Sequence, residues 1–304
     1  MRRQWIVDAL GDAALFDRLA KTMKGTELWS VLMEVMRERA RVRRATDVLA
    51  QYRRDAFVRP APIDQRTLVE VDVEALAAAA AFEAIELSPV APLGASSSMG
   101  VTDQHRVLSA LRGTEVVSDP TNVLALECAE RLSRTPRAVI KLATSQRVVR
   151  AQQIPKVPGF TQHFRIFVLA TAGREKKDHA FVVDAMVEHV HTMLAALDRL
   201  EAHGYDFGRR RVDILATRER EAIGNRIANA LGDIAVKEKP LEHPYYSGGL
   251  RFMLWVTDPA GSEVPLVDGG AFDWLVRLTS NRRYVFVASG MGAQLIPLRF
   301  RVGD

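Results

Sequence analysis

The sequence predicts an α+β protein: a mixed or antiparallel sheet flanked by helices, entered through an N-terminal helical segment. Three observations carry this. Apolar residues recur at helical spacing through 5–57 and again over 181–201. Runs such as HFRIFVLAT alternate, with Phe164, Ile166 and Val168 on one side of an extended chain. The apolar strands of the second half stand at long, irregular intervals, which fits a packed mixed sheet better than a regular βαβ series.

In chain order, Trp5, Ile6, Ala9 and Leu10 share a helical face, as do Leu28, Leu32, Met33 and Met36, and Val48, Leu49 and Tyr52 continue the pattern. RPAPID at 59–64 breaks it, so residues 1–65 read as a helical segment and 66–304 as the core. VEVDVEALAAAAAFEAIEL predicts a helix ending near Phe82 and a short strand over 84–87, stopped by Ser88-Pro89. The loop 88–100, with two glycines, two prolines and four serines, invites a phosphate-loop reading but lacks the Walker spacing. Asp119 before Pro120 predicts a capped helix running to about Leu132. Strands at 139–152 and 161–171 form an antiparallel pair, turned through Lys156, Val157, Pro158 and Gly159. A helix over 181–201, ended by Gly204, a strand at 210–217 and a helix at 222–232 follow. The remainder reads strand, turn, strand, helix, strand and a helix-like end.

Composition narrows the class. The 304 residues are 48% hydrophobic and 26% charged, as in a globular chain. The net charge of +5 is mild, and arginines clustered over 37–54 suit either a solvated helix face or a nucleic-acid contact. The single cysteine, Cys128, excludes an intrachain disulfide and fits a reducing, cytoplasmic setting. His189 and His191 are two apart, off one helix face, and no metal constellation emerges. With no run of 18 apolar residues, no membrane span is expected.

Several segments together resemble the catalytic core of class II aminoacyl-tRNA synthetases. They are most similar to the histidyl enzyme and its paralogue, the regulatory subunit of ATP phosphoribosyltransferase. The matching region runs over about 75–300. A helix from 73 to 82 followed by AIELSP and Pro89 resembles the first motif, whose helix builds a dimer interface; this implies a homodimer. Ser118, Asp119, Pro120 and Thr121 stand where the family opens its amino-acid pocket. QRVVRAQ resembles the second motif: Arg150 matches the arginine for the α-phosphate and substrate carboxylate, and Gln152 stands where glutamate is common. Phe160 would stack on adenine and Gln162 would point toward the amino acid. Tyr245 and Tyr246 match the histidyl branch's paired tyrosines. LVDGGAFD resembles the glycine-glycine-arginine-tyrosine-aspartate segment; Gly269, Gly270 and Asp273 are kept, while Ala271 replaces the arginine and Phe272 the tyrosine. Gly290 and Gly292 fit the third motif's turn, and Gln294 or Ala293 falls where its arginine belongs.

The resemblance therefore implies a partly kept pocket with a reduced triphosphate machinery. It implies a regulatory or partner subunit that binds an amino acid or nucleotide, the nucleotide being ATP or another adenine nucleotide, with Mg if ATP is bound. Two alternatives stay open. One is an enzyme adenylating an amino acid for a non-translational acceptor. The other is a nucleic-acid binder using residues 37–54.

Overall fold

The computed structural model describes residues 2–152, 161–232, 234 and 236–302. The chain opens with four helices, α1 (Arg2–Leu10), α2 (Ala13–Asp17), α3 (Gly25–Arg41) and α4 (Ala45–Arg54). None of α2, α3 and α4 buries a residue. Arg37, Arg41 and Arg44 spend much of their charge inside the segment, pairing with Glu34, Glu38 and Asp47 one turn away.

The core begins at α5 (Gln65–Ala78), where Asp64 caps the backbone N–H groups of Arg66 and Thr67. The helix starts earlier and stops sooner than the alanine run suggests, and the strand after it, β1 (Glu83–Ala84), is only two residues long. A small sheet follows from β2 (Val90–Pro92), β3 (Ser109–Ala110) and β4 (Thr114–Val116), with the short helix α6 (Ala95–Met99) inserted. Then come α7 (Pro120–Arg134), β5 (Ile140–Val149), β6 (His163–Arg174), α8 (Ala180–Glu201), β7 (Arg210–Ala216), α9 (Glu221–Ala230) and β8 (Val236–Pro240). The chain closes with β9 (Leu250–Thr257), β10 (Glu263–Phe272), α10 (Trp274–Thr279), β11 (Tyr284–Met291) and α11 (Leu295–Arg299).

The main sheet has eight strands in the order β1-β5-β6-β11-β10-β9-β7-β8. The β1–β5 and β7–β8 pairs are parallel and the others antiparallel, which is the mixed sheet the sequence predicts. Its two faces differ. On the rear face, α5, α8 and α9 bury Phe167, Leu169, Val212, Ile214, Phe252, Leu254 and Val287. On the front face, α7 and α10 cover Leu142, Ala170, Ala172 and Phe286. The front ends of β6, β11, β10 and β9 border an open cavity instead.

α8 is long and apolar enough to span a membrane by length and composition, but its apolar side is spent on the rear core. At its middle His189 is wholly buried, with Nε2 paired to Thr171 Oγ1 and Nδ1 to Ser289 Oγ, both at 2.9 Å. Burial, with a smaller push from the Lys141 charge, drives this imidazole from 6.5 down to about 3. The unfolded chain therefore binds a proton that the native chain refuses. This contribution is whole above about pH 6.5 and is lost as the pH falls toward 3, at roughly 1.4 kcal/mol per pH unit. Urea unfolding of wild type and His189→Gln from pH 7 to 4.5 should show a steeper acid loss in the wild type. Parallel stability curves would contradict it.

Candidate functional site

The cavity holds about 710 Å³. Its floor is the front face of β6 and β11, through Ile166, Val168, Ala288 and Gly290. Glycine at 290 leaves the floor to Ile166, whose Cδ1 a Cβ there would meet at 2.9 Å and have to displace.

One corner is acidic. Asp119 caps α7, accepting from Thr121 N at 3.0 Å and from Thr121 Oγ1, while its other oxygen accepts from Tyr245 Oη at 2.6 Å. The capping expected from Asp119-Pro120 is thus present, and the same carboxylate lines the cavity. Desolvation among the neighbouring rings, then the Asp119 charge, pushes the Tyr245 phenol well up, so it stays a proton donor. Tyr245 also packs edge-on against Tyr246, Phe272 and Trp274 at 5.2 to 5.6 Å.

The mouth is basic. Arg150 follows β5, its Nε donating to Ser118 O at 3.0 Å and its guanidinium lying 5.0 Å from the Phe164 ring. Arg150 N donates to Gln162 O, and Ala151 N to Arg106 O, so the mouth segments are tied through backbone. Gln152, Asp103 and Arg106 complete this rim.

A third corner was not singled out in the sequence. Arg251 on β9 and Asp268 on β10 form a bidentate pair, Nε to Oδ1 at 2.9 Å and Nη2 to Oδ2 at 2.8 Å. The guanidinium lies 5.0 Å from the Tyr246 ring. Two-residue alternation places both side chains on the front face, but their diagonal pairing depends on register. Gly270 faces Arg251, Asp268 faces Met253, and a bulge separates Pro265 from Val267.

Of the residues expected at the site, Thr121, Arg150, Gln152, Tyr245, Tyr246, Gly269 and Gly292 line this cavity. Phe160 lies outside the described residues, as do Lys156 and Gly159; the described aromatic against Arg150 is Phe164. Gln162, Gly270 and Asp273 are not in the lining. Asp273 instead accepts from Ser247 Oγ at 2.5 Å. The glycine pair answers to protein rather than ligand: a Cβ at Gly269 would meet Ser289 Cβ at 2.5 Å, and one at Gly270 would meet Leu250 O at 2.3 Å. Ala271 points into the rear core, so that position does not address the cavity. Gln294 is buried and outside the lining, its Nε2 donating to Thr161 Oγ1 at 3.1 Å and its Oε1 accepting from Arg147 Nη1 at 3.4 Å. Arg299 turns away to Asp258.

The phosphate-loop reading of 88–100 is corrected as well. Gly94 N and Ser96 N donate to Glu115 at 2.8 and 2.9 Å, and Gln104 Nε2 adds a third bond at 2.9 Å. The loop's amides already hold an anion from their own chain. Burial works against the Glu115 charge, but these bonds outweigh it and hold the carboxyl below its usual range.

Among the described residues no group of three or more His, Cys, Asp or Glu side chains is placed to hold a metal ion. Asp119 accepts hydrogen bonds from Thr121 and Tyr245, and Asp268 accepts from Arg251.

No family model matches the chain, and no curated protein matches it. Solved structures do. Histidyl-tRNA synthetase from S. aureus superposes with a TM-score of 0.58 at 13% identity, covering 80% of this chain and 68% of that one. An ATP phosphoribosyltransferase regulatory subunit/histidyl-tRNA synthetase from Bacillus halodurans gives 0.60 at 15%, covering 79% and 80%. A putative threonyl-tRNA synthetase from Aeropyrum pernix gives 0.60 at 14%, covering 76% and 59%. The architecture shared with these proteins is the class II aminoacyl-tRNA synthetase-like fold.

The acidic corner makes a stability prediction. Asp119→Ala removes a helix cap, costing about 1 kcal/mol, and leaves the Tyr245 hydroxyl only a 3.4 Å contact with Thr121 Oγ1, costing a further ~1–3 kcal/mol. Asp119→Asn keeps its oxygen as the acceptor for the cap and offers an NH₂ that the Tyr245 hydroxyl can accept from, so it should lose less. Urea midpoints at unchanged slope test the order; equal losses would remove the corner's linking role.

Proposed function

We propose that this chain, built on the class II synthetase-like fold, binds an amino acid or nucleotide and acts as a regulatory or partner subunit rather than charging tRNA. The observation that carries the reading is one cavity lined both by an acidic group, Asp119 with Tyr245 and Thr121, and by Arg150, whose Nε is bonded to the neighbouring Ser118 carbonyl. A carboxylate fixed by hydrogen bonds suits an α-amino group. A guanidinium suits a carboxylate or phosphate. The aromatic face of Phe164 gives the Arg150 fork a fixed bed.

The reduced catalytic role follows from charge. Departure of pyrophosphate needs concentrated positive charge in a dry site. Of the three arginines in the described lining, Arg251 is neutralised by Asp268, and Gln294 at the third-motif position is turned away. One structural neighbour is described as a regulatory subunit, which supports a partner role here. A second copy of this chain is the first partner we assign. α5 leaves Val69 and Val73 about half exposed, at i and i+4 on one face beside the core. A cytoplasmic setting agrees with the lone thiol, Cys128, which is buried and pushed up to about 12.

Titration calorimetry with ATP and the twenty amino acids tests the binding. At least one should bind, and Arg150→Ala should weaken it about tenfold to hundredfold, as expected for loss of a charged hydrogen bond. Strong ATP–pyrophosphate exchange, abolished by Arg150→Ala, would instead promote the adenylating enzyme. Salt-dependent RNA binding lost on neutralising Arg39, Arg53 and Arg54 would favour the nucleic-acid reading. Light scattering at micromolar concentration should give about twice the chain mass, falling to one chain for Val73→Asp. A wild-type monomer would end the dimer proposal.

A further inference from the structure

We infer that Arg251 and Asp268 read the far end of the ligand, selecting a neutral planar group with a hydrogen-bond donor beside an acceptor, of the carboxamide kind. The inference rests on the reading of the cavity as an amino-acid site, and it assigns the side-chain class.

The two adjacent tyrosines divide the cavity. Tyr245 donates to Asp119 at 2.6 Å, and the Tyr246 ring lies 5.0 Å from the Arg251 guanidinium that pairs with Asp268. Their rings meet edge to face at 5.2 Å. An amino acid whose amino group sits at Asp119 therefore has its side chain on the Tyr246 side, against Arg251 and Asp268.

That second corner is held firmly. The Arg251 side chain is only 17% exposed, clamped between the Tyr246 ring and a bidentate carboxylate. The pairing uses Nε–H and one N–H of Nη2, so the second N–H of Nη2 is left beside the Asp268 oxygen that Nη2 already holds. Asp268 is 42% exposed and keeps lone pairs beyond those taken by Arg251. The corner thus offers a donor and an acceptor side by side, with no net charge.

Charge complementarity then sorts side chains. A carboxylate would pair with Arg251 but face Asp268. An ammonium would pair with Asp268 but face Arg251. A carboxamide meets both, its carbonyl accepting from Arg251 and its NH₂ donating to Asp268. Groups built to be hydrogen-bonded discriminate strongly against ligands that leave one of them unmet.

The test is calorimetric titration of the full chain with asparagine, glutamine, aspartate, glutamate, α,γ-diaminobutyrate and ornithine. Wild type should bind one of the two amides at least about tenfold tighter than the acid or amine of matching length. Asp268→Asn leaves Arg251 uncompensated and should turn the preference toward the acid. Arg251→Met should turn it toward the amine. Thermal melts accompany each variant. Should a single variant fail to fold, the double variant Arg251→Met/Asp268→Leu, which strands no charge, should bind without ranking acid, amide and amine. Binding that depends on Asp119 but ranks the ligands alike in wild type and variants would sink the pair's role and leave the amino-acid site standing. No binding of any amino acid by wild type would overturn both.

Discussion

The constraint on which the rest depends is the dry rear face of the sheet, pinned at its centre by His189. Thr171 on β6 and Ser289 on β11 are both bonded to one imidazole from α8. Each group would be costly to bury alone. Together they satisfy one another, so α8 can settle in one register over the strands that form the cavity floor. Ser289 belongs to that floor through its backbone while its side chain holds the helix behind it. The cavity is open in front because the sheet is sealed and fixed from the rear.

The polar groups of the front face follow a common rule: most are matched within the chain before any ligand arrives. Glu115 fills the amide-rich loop that could have held a phosphate. Asp119 satisfies a helix end and a phenol at once. Arg251 is answered by Asp268. A site prepared in this way selects by hydrogen-bond geometry more than by attraction of net charge. That suits recognition of a small polar molecule better than stabilisation of a triphosphate in transit.

Much of the fold was legible because local chemistry and periodicity agree with tertiary structure. Asp119-Pro120 announces a capped helix start, and α7 begins there. Alternation at Phe164, Ile166 and Val168 announces the face of β6 that becomes floor and rim. The site was less legible where its meaning depends on register or on what sits behind a strand. Ala271 stands in a segment that reads as ligand-facing, yet period-two alternation turns it into the rear core beside Val267. Arg251 and Asp268 are seventeen residues apart, and only the β9–β10 pairing, with its bulge, brings them together. Gln294 was expected where a cation would meet phosphate, but the turn at Gly292 directs it toward Thr161 instead. Read alone, the glycines at 269 and 270 suggest room for a ligand; the room is already taken by Phe252, Ser289, Tyr246 and Leu250.

This last point ties specificity to backbone. Gly270 has no side chain, so the Tyr246 ring can lie against β10, where a Cβ would stand 2.5 Å from its edge. The ring in turn supports the Arg251 guanidinium, and the guanidinium, held between ring and carboxylate, fixes the orientation of the charge pair. A methyl group at Gly270 would meet the Leu250 carbonyl oxygen at 2.3 Å and the Tyr246 ring at 2.5 Å, so it would displace the β9 backbone and the tyrosine together. Overpacking of this kind typically costs about 1–3 kcal/mol, but here its first effect would be geometric, since the Arg251 fork would lose its bed. The residues that set ligand choice are therefore positioned by one that cannot contact the ligand at all.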